Sequence, residues 1–320
     1  MNAGAATDTG LVRERNEDRY WIDAERGVFL VVDGLGGQSA GELAAETAVE
    51  QIRETLLAAD APSGRNPTQA GMPVPRGTGI PACVGFQADG SAEDLVRAAI
   101  TRANNRIFEL AQQEPERRGM ACVLTVALVE DQVITIGHVG DSRLYLFWGG
   151  AMRKLTSDHS PVGEDEEAGA LTEAEAMRHP RRNEVFRDVG SQLRTAADED
   201  FIEIRKCRFR PDAAILLCSD GLTDQLTAAQ VRAIVERYDG DADRVACELV
   251  DAANDAGGKD NTTALFIAGP QFGNKYATRP RLAITRVRRP MRLLTGRAAF
   301  LAYGLLIGML LWAVLRAVRG

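Results

Sequence analysis

Histidine occurs only three times in this 320-residue chain, at His138, His159 and His179, and the five cysteines (Cys83, Cys122, Cys207, Cys218 and Cys247) never fall at CxxC spacing. That scarcity excludes a zinc-finger ligand set and a disulfide framework. Cys122 and Cys218 sit inside apolar runs, where a thiol acts as a small hydrophobe, so a reducing compartment is implied. Residues 1–20 hold no apolar core of a secretory leader, and the domain is expected to start in the cytoplasm. No internal repeat appears. Acidic residues are missing after Gly269: ten of the 38 basic residues and none of the 45 acidic ones lie beyond it, so residues 1–269 carry a net charge of −17. Such a domain would repel nucleic-acid phosphates, and no nucleic-acid partner is expected.

What is present divides the chain into a large domain, 1–269, and an appendage. The 45% apolar content is enough for a substantial core. Between Asp60 and Ala92, five prolines and six glycines exclude a helix or a central strand, and 60–92 is expected to be a disordered insertion. Residues 270–297 form a basic juxtamembrane linker. Residues 298–315, AAFLAYGLLIGMLLWAVL, are free of charge and at ~1.5 Å per residue span roughly 27 Å, the length of a bilayer core. Tyr303 and Trp312 are amphipathic aromatics, and arginines flank both ends. The expectation is one transmembrane helix followed by a short tail, 316–320. The excess of basic residues before the span places the large domain on the cytoplasmic side, with the lipid bilayer as a partner.

Short β-branched runs predict strands at VFLVVD, CVLTVALV, VITIGHV, LYLFW, FIEIRKCRF, AAILLCS and TTALFIA. Tight turns at EDQ and GDSR are expected to join antiparallel neighbours. Helices are expected over about 41–58 and 93–113, each after a capping box (Ser39 with Glu42, Ser91 with Asp94), after Thr227 with Gln230, and over 241–254. Strands and grouped helices in this order give an α+β domain.

Four aspartates share one setting. Asp33 ends FLVVD, Asp141 follows ITIGHVG, Asp220 follows ILLCS and Asp260 precedes TTALFIA. A single Asp-Gly pair is ordinarily a turn. If the four strand ends lie side by side, however, their carboxylates would repel one another and resist ionisation, and a divalent cation resolves the conflict. Oxygen-only ligands suit Mg²⁺ or Mn²⁺. Two such ions about 3.5–4 Å apart can share a hydroxide and clamp a phosphoryl group. A glycine after the aspartate frees a backbone carbonyl as a further ligand, and Arg13, five residues before Asp18, offers positive charge for the phosphate oxygens.

The ordered segments TDTGLVRERNEDRY, VVDGLGG, GHVGDSRLYL, LTSDHSPVGE, HPRRN, CSDGLTD and KDNTTALF resemble the motifs of the PPM family of metal-dependent Ser/Thr phosphatases (the PP2C type), bacterial branch, over 2–268. The resemblance implies a PP2C-like β-sandwich of two antiparallel sheets flanked by helices. It also implies two Mn²⁺ or Mg²⁺ ions, with a third in bacterial members, and phosphorylated Ser/Thr proteins, the products of a Ser/Thr kinase, as substrates. By the same resemblance Asp33 bridges both metals and Gly34 lends its carbonyl. Asp220 and Asp260 hold the second ion, and Asp18, with Glu17 beside it, contacts metal-bound water. Arg13 binds the substrate phosphate, and Asp141 shares a third metal with Asp220. Residues 158–183 resemble the flap beside the active site, with Thr172 and Glu175 capping its short helix.

One departure concerns the proton donor. Eukaryotic members carry a histidine two residues after the bridging aspartate, and Leu35 stands there, so the general acid has no named residue. The three histidines are candidates, against the plainer reading of structural hydrogen bonding. Two alternatives stay open: a membrane-anchored pseudophosphatase that binds phosphoproteins as a scaffold, and a phosphatase of small phosphate esters.

Overall fold

The computed structural model describes residues 1–36, 40–59 and 91–273. The linker from 274 onward, the apolar span 298–315 and the tail lie outside them, as do Ser39 of the first expected capping box and the insertion up to residue 90. No helix among the described residues is long and apolar enough to cross a membrane.

Two five-stranded antiparallel sheets face each other. One runs, edge to edge, through β2 (Arg19–Asp23), β3 (Val28–Leu35), β4 (Ala121–Glu130), β5 (Val133–Val139) and β8 (Glu203–Arg208). The other orders β1 (Asn2–Asp8), β10 (Thr262–Ala268), β9 (Ala214–Cys218), β6 (Arg143–Trp148) and β7 (Ala151–Lys154). Helices α1 (Ala40–Ala59) and α2 (Ser91–Gln113) cover the first sheet, while α6 (Ala228–Val235) and α7 (Ala242–Asp255) cover the second. Three short helices lie in the connections: α3 (Pro161–Glu167), α4 (Glu173–Ala176) and α5 (Asp220–Thr223).

The layering explains why the strands read as unbroken apolar runs. Side chains alternate across a strand, and here both faces are buried. On β3, Val28, Leu30 and Val32 pack under α1 and α2, whereas Phe29 and Val31 enter the core between the sheets. On β9 and β10, Leu216 and Phe266 face α6 and α7, while Leu217 and Leu265 meet the opposite sheet. Each such side chain withdrawn from water contributes about 1.5–3 kcal/mol before entropy is charged against it. The expected capping boxes at Thr227/Gln230 and Thr172/Glu175 are both formed, and Asp241 caps α7.

The EDQ turn is the expected hairpin between β4 and β5, with Asp131 and Gln132 both at positive φ, as a two-residue turn requires. The GDSR segment corrects its expectation. It joins no antiparallel neighbours, because β5 and β6 belong to different sheets and the turn is a crossover between them. Gly140 takes φ +108 with Val123 pressed against its Cα, so the chain can leave one sheet abruptly for the other. The four aspartate-bearing segments likewise do not lie side by side in one sheet: β3 meets β9 and β10 across the sandwich. The expectation also lacked β1, β2 and β7. All three are edge strands made largely of small or polar residues, so the apolar-run signal is weak there.

Candidate metal centre

Alternation places Asp33 on the same face of β3 as Phe29 and Val31, looking across at β9 and β10, and puts Gly34 on the opposite face toward α1. Asp220 opens α5 immediately after β9, Asp260 lies two residues before β10, and the antiparallel pairing of β9 with β10 brings these two to one edge. Asp18 directly precedes β2, and Asp141 sits on the crossover.

The charges of these side chains act on one another. Burial pushes the Asp33 carboxyl well above the usual aspartate range, and the charges of Asp18, Asp220, Asp141 and Asp260 push it further. Asp220 is raised in the same way, by burial first and then by Asp141, Asp224, Asp260 and Asp18. Asp141 is pushed up to about 7 by burial and by Asp158, against the opposing charge of Arg143. Asp18 rises to about 6, mainly through burial, although Ser219 and Thr263 hydrogen-bond to it. Its Oδ2 accepts from Ser219 Oγ at 2.7 Å, while its buried Oδ1 has no protein partner. A buried oxygen without a donor is costly in a closed core and natural where a cation or water is to sit.

Arg13 stands at the rim, half-exposed, with Nη2 2.7 Å from Asp260 Oδ2. The glycines of the stretch after Asp33 acquire a use. A Cβ on Gly34 would stand 2.2 Å from the Gly41 carbonyl oxygen and 2.9 Å from that of Glu17, and a Cβ on Gly41 would strike Gly34 and the Glu17 carboxylate. Strand β3, helix α1 and the Glu17 backbone therefore cross at two residues without side chains. A cleft between the 158–183 segment and α5 is lined by Asp141, Asp220 and Asp224 on one side and by Ser160, Glu173 and Arg182 on the other. There Arg182 Nε donates to Asp224 Oδ2 at 2.8 Å.

Three residues that position the site were not singled out from the sequence. Asn261 accepts from the Glu17 N–H at 2.8 Å and donates to the Thr9 and Arg15 carbonyls at 2.9 and 2.8 Å, which pins the loop carrying Arg13 and Asp18. Ser219 links Asp18 to the Thr263 N–H. Gly41 completes the crossing just described. Each adjoins a recognised motif (KDN, CSDG, VVDGLGG), but its role depends on partners more than two hundred residues away for the first two, and on a helix packing for the third.

The aspartates are spread more widely than a single tight knot. Among the described residues, the only three ligand groups whose donor atoms all lie within 4.8 Å of one another are His138, His159 and Glu203. These already have protein partners. His138 Nε2 lies 3.0 Å from the Ser157 carbonyl and Nδ1 2.8 Å from Thr125 Oγ1, while Glu203 pairs with Arg205. Burial lowers the basicity of both imidazoles, His159 to about 3, so neither carries a proton to donate as an imidazolium near neutral pH.

Comparison with known proteins fits this geometry. The family model for protein phosphatase 2C matches residues 12–254. The chain belongs to the protein phosphatase 2C family. It is 30% identical over 274 residues to the serine/threonine phosphatase stp of Listeria innocua, covering 83% of this chain and 95% of that one. It is 31% identical over 273 residues to the protein phosphatase PhpP of Streptococcus pneumoniae, covering 84% and 97%. Among solved structures, the catalytic domain of the serine/threonine phosphatase PstP in complex with 2 manganese ions superposes with a TM-score of 0.65 at 26% identity, covering 82% of this chain and 96% of that one. Stp1 from Staphylococcus aureus gives 0.66 at 28% identity, covering 84% and 95%.

Protein phosphatase 2C enzymes use two Mn²⁺ or Mg²⁺ ions, and the residues here suit them. The donors are carboxylate oxygens, the nearby thiols of Cys122 and Cys218 are kept protonated by burial, the buried Asp18 Oδ1 lacks any protein donor, and burial together with neighbouring carboxylates raises Asp33 and Asp220.

Proposed function

We propose that this protein is a metal-dependent phosphatase that hydrolyses phosphoserine and phosphothreonine on proteins phosphorylated by a Ser/Thr kinase. The observation that carries the reading is the pocket of mutually raised aspartates with Arg13 at its mouth. Asp33, Asp220 and Asp260, with the Gly34 carbonyl, would hold the two ions, Asp18 would orient water around them, and Asp141 with Asp220 would hold a third. When bound, such ions lower the pKa of water and offset the charge of a phosphoryl group. Arg13 is free to swing from Asp260 to the phosphate oxygens, since its pairing is half-exposed and weak. The glycine crossing keeps Asp33 rigid against α1, and the 158–183 segment bounds the cleft through which a phosphoprotein would approach.

The chain's placement at a membrane rests on sequence alone. The uncharged run 298–315 and the basic residues before it support a single-pass anchor in the cytoplasmic membrane, with the 1–269 domain in the cytoplasm.

The test is Mn²⁺-dependent release of phosphate from phosphothreonine peptides. Chelation or Asp33→Asn should abolish it. Equal activity in Asp33→Asn would overturn the assigned roles, and a metal-loaded wild type inert on a broad phosphopeptide panel would favour the scaffold reading.

A further inference from the structure

His159 is buried, has no part in the chemistry proposed above, and touches two segments at once, the crossover before Asp141 and the chain at Phe186. Its backbone N–H donates to the Gly140 carbonyl at 2.7 Å, and its ring Nδ1 accepts from the Gly140 N–H at 3.0 Å. Both polar groups of Gly140 are thus held by one residue, and the next residue on the crossover is Asp141. On the other side, the His159 carbonyl accepts from the Phe186 N–H at 3.0 Å, and the Phe186 ring centroid lies 6.2 Å from that of the imidazole.

The ring of His159 is held through both nitrogens. Its Nδ1 accepts from the Gly140 N–H, while its Nε2 lies 3.2 Å from the Arg187 guanidinium, which can only donate, and 4.0 Å from Glu203 Oε2. The ring centroid of His138 is 4.9 Å away. His138 Nε2 donates to the Ser157 carbonyl, its Nδ1 accepts from Thr125 Oγ1, and Thr125 Oγ1 lies 2.8 Å from Ser142 Oγ and 3.2 Å from the Ser142 carbonyl. Ser142 is the residue after Asp141. The crossover is therefore gripped on both sides of Asp141, by His159 through Gly140 and by the His138 chain through Ser142.

We propose that His159 is a positioning residue that sets Asp141 for the third cation, the one bound more weakly than the pair, and ties that setting to the 158–187 segment. The inference rests on the reading of Asp141 as a ligand of a third ion. Its particular content is that the acceptor at the Nδ1 position, rather than the bulk or polarity of the side chain, does the holding.

Two amide replacements separate these. His159→Asn places its carbonyl oxygen near the Nδ1 position and can still accept from Gly140, whereas His159→Gln reaches toward Nε2 and cannot. The full-length chain would be titrated with Mn²⁺, with the free ion counted by electron paramagnetic resonance and the fold checked by near-UV circular dichroism. The expected result is a weak binding class within about twofold of wild type in His159→Asn and roughly tenfold weaker in His159→Gln, the tight sites being unchanged in both. Asp141→Asn should also lose the weak class. Equal shifts in the two His159 variants, no shift in either, or loss of the fold in both would overturn the proposal. If Asp141→Asn leaves the weak class intact, the reading of Asp141 falls and this inference with it; if only Asp141→Asn removes it, the positioning role alone is wrong.

Discussion

A cluster of carboxylates built for cations should destabilise the protein when the cations are taken away, and Asp18 allows the size of the effect to be worked out. The side chain is 2% exposed, so solvent screening gives no relief. Its carboxyl stands at about 6 in the fold against an ordinary 3.8. The folded value is the higher one. The favourable contribution is thus complete below pH 3.8 and lost as pH rises through 6, so at pH 7.5 the metal-free fold bears a cost of about 3 kcal/mol. Asp18→Asn removes that cost and keeps an oxygen for Ser219 Oγ, but it aims an amide N–H at the place where Oδ1 has no partner, a loss of about 1 kcal/mol. In excess chelator at pH 7.5 the variant should be about 2 kcal/mol more stable than wild type, or about 4–8 °C in Tm for a domain of this size. The gap should close on acidification from pH 6 to 4. Saturating Mn²⁺ should reverse the order, because only the wild type has the full set of carboxylates to hold the ions. Differential scanning fluorimetry with and without metal across this pH range reads all three effects. A metal-free Asp18→Asn protein with native circular dichroism that is no more stable than wild type at pH 7.5 would refute the argument that burial of the ionised Asp18 carboxylate costs the metal-free fold.

Two further outcomes follow from the packing around the site. Gly34→Ala drives a methyl group to 2.2 Å from the Gly41 carbonyl, a backbone atom that cannot swing aside, and should cost about 3 kcal/mol, seen as a Tm lower by about 6–12 °C with activity falling in parallel; an unchanged Tm would mean that the crossing is looser than described. Asn261→Ala leaves the Glu17 N–H and two carbonyls without their partner, worth about 2–3 kcal/mol, and frees the loop that carries Arg13. It should raise KM for a phosphopeptide more than it lowers kcat, and a change in kcat alone would place Asn261 in another role.

Much of this was legible along the chain because the local signals are strong. The β-branched runs of β3, β4, β5, β9 and β10 are buried on both faces and could only be central strands, and the Thr172 and Thr227 capping boxes form as written. The GDSR segment shows where such signals end. A short polar turn between two apolar runs has the same sequence whether it folds a hairpin or carries the chain from one sheet to another, and what separates them here is Val123 against Gly140 together with the grip of His159. The edge strands β1, β2 and β7 are short or built of alanine, glycine and polar residues, which write no β-branched run.

The sequence by itself determined the ligand chemistry: which residues are carboxylates, which are followed by glycine, and where one arginine stands. These are properties of side chains, and they travel with the chain whatever its shape. Only the tertiary structure decided that aspartates from opposite sheets come near enough to raise one another, that Asn261 and Ser219 hold the loops that carry them, and that Gly34 must pass Gly41. Those relations depend on distances between segments up to about 250 residues apart, which close only when the two sheets bury their common faces.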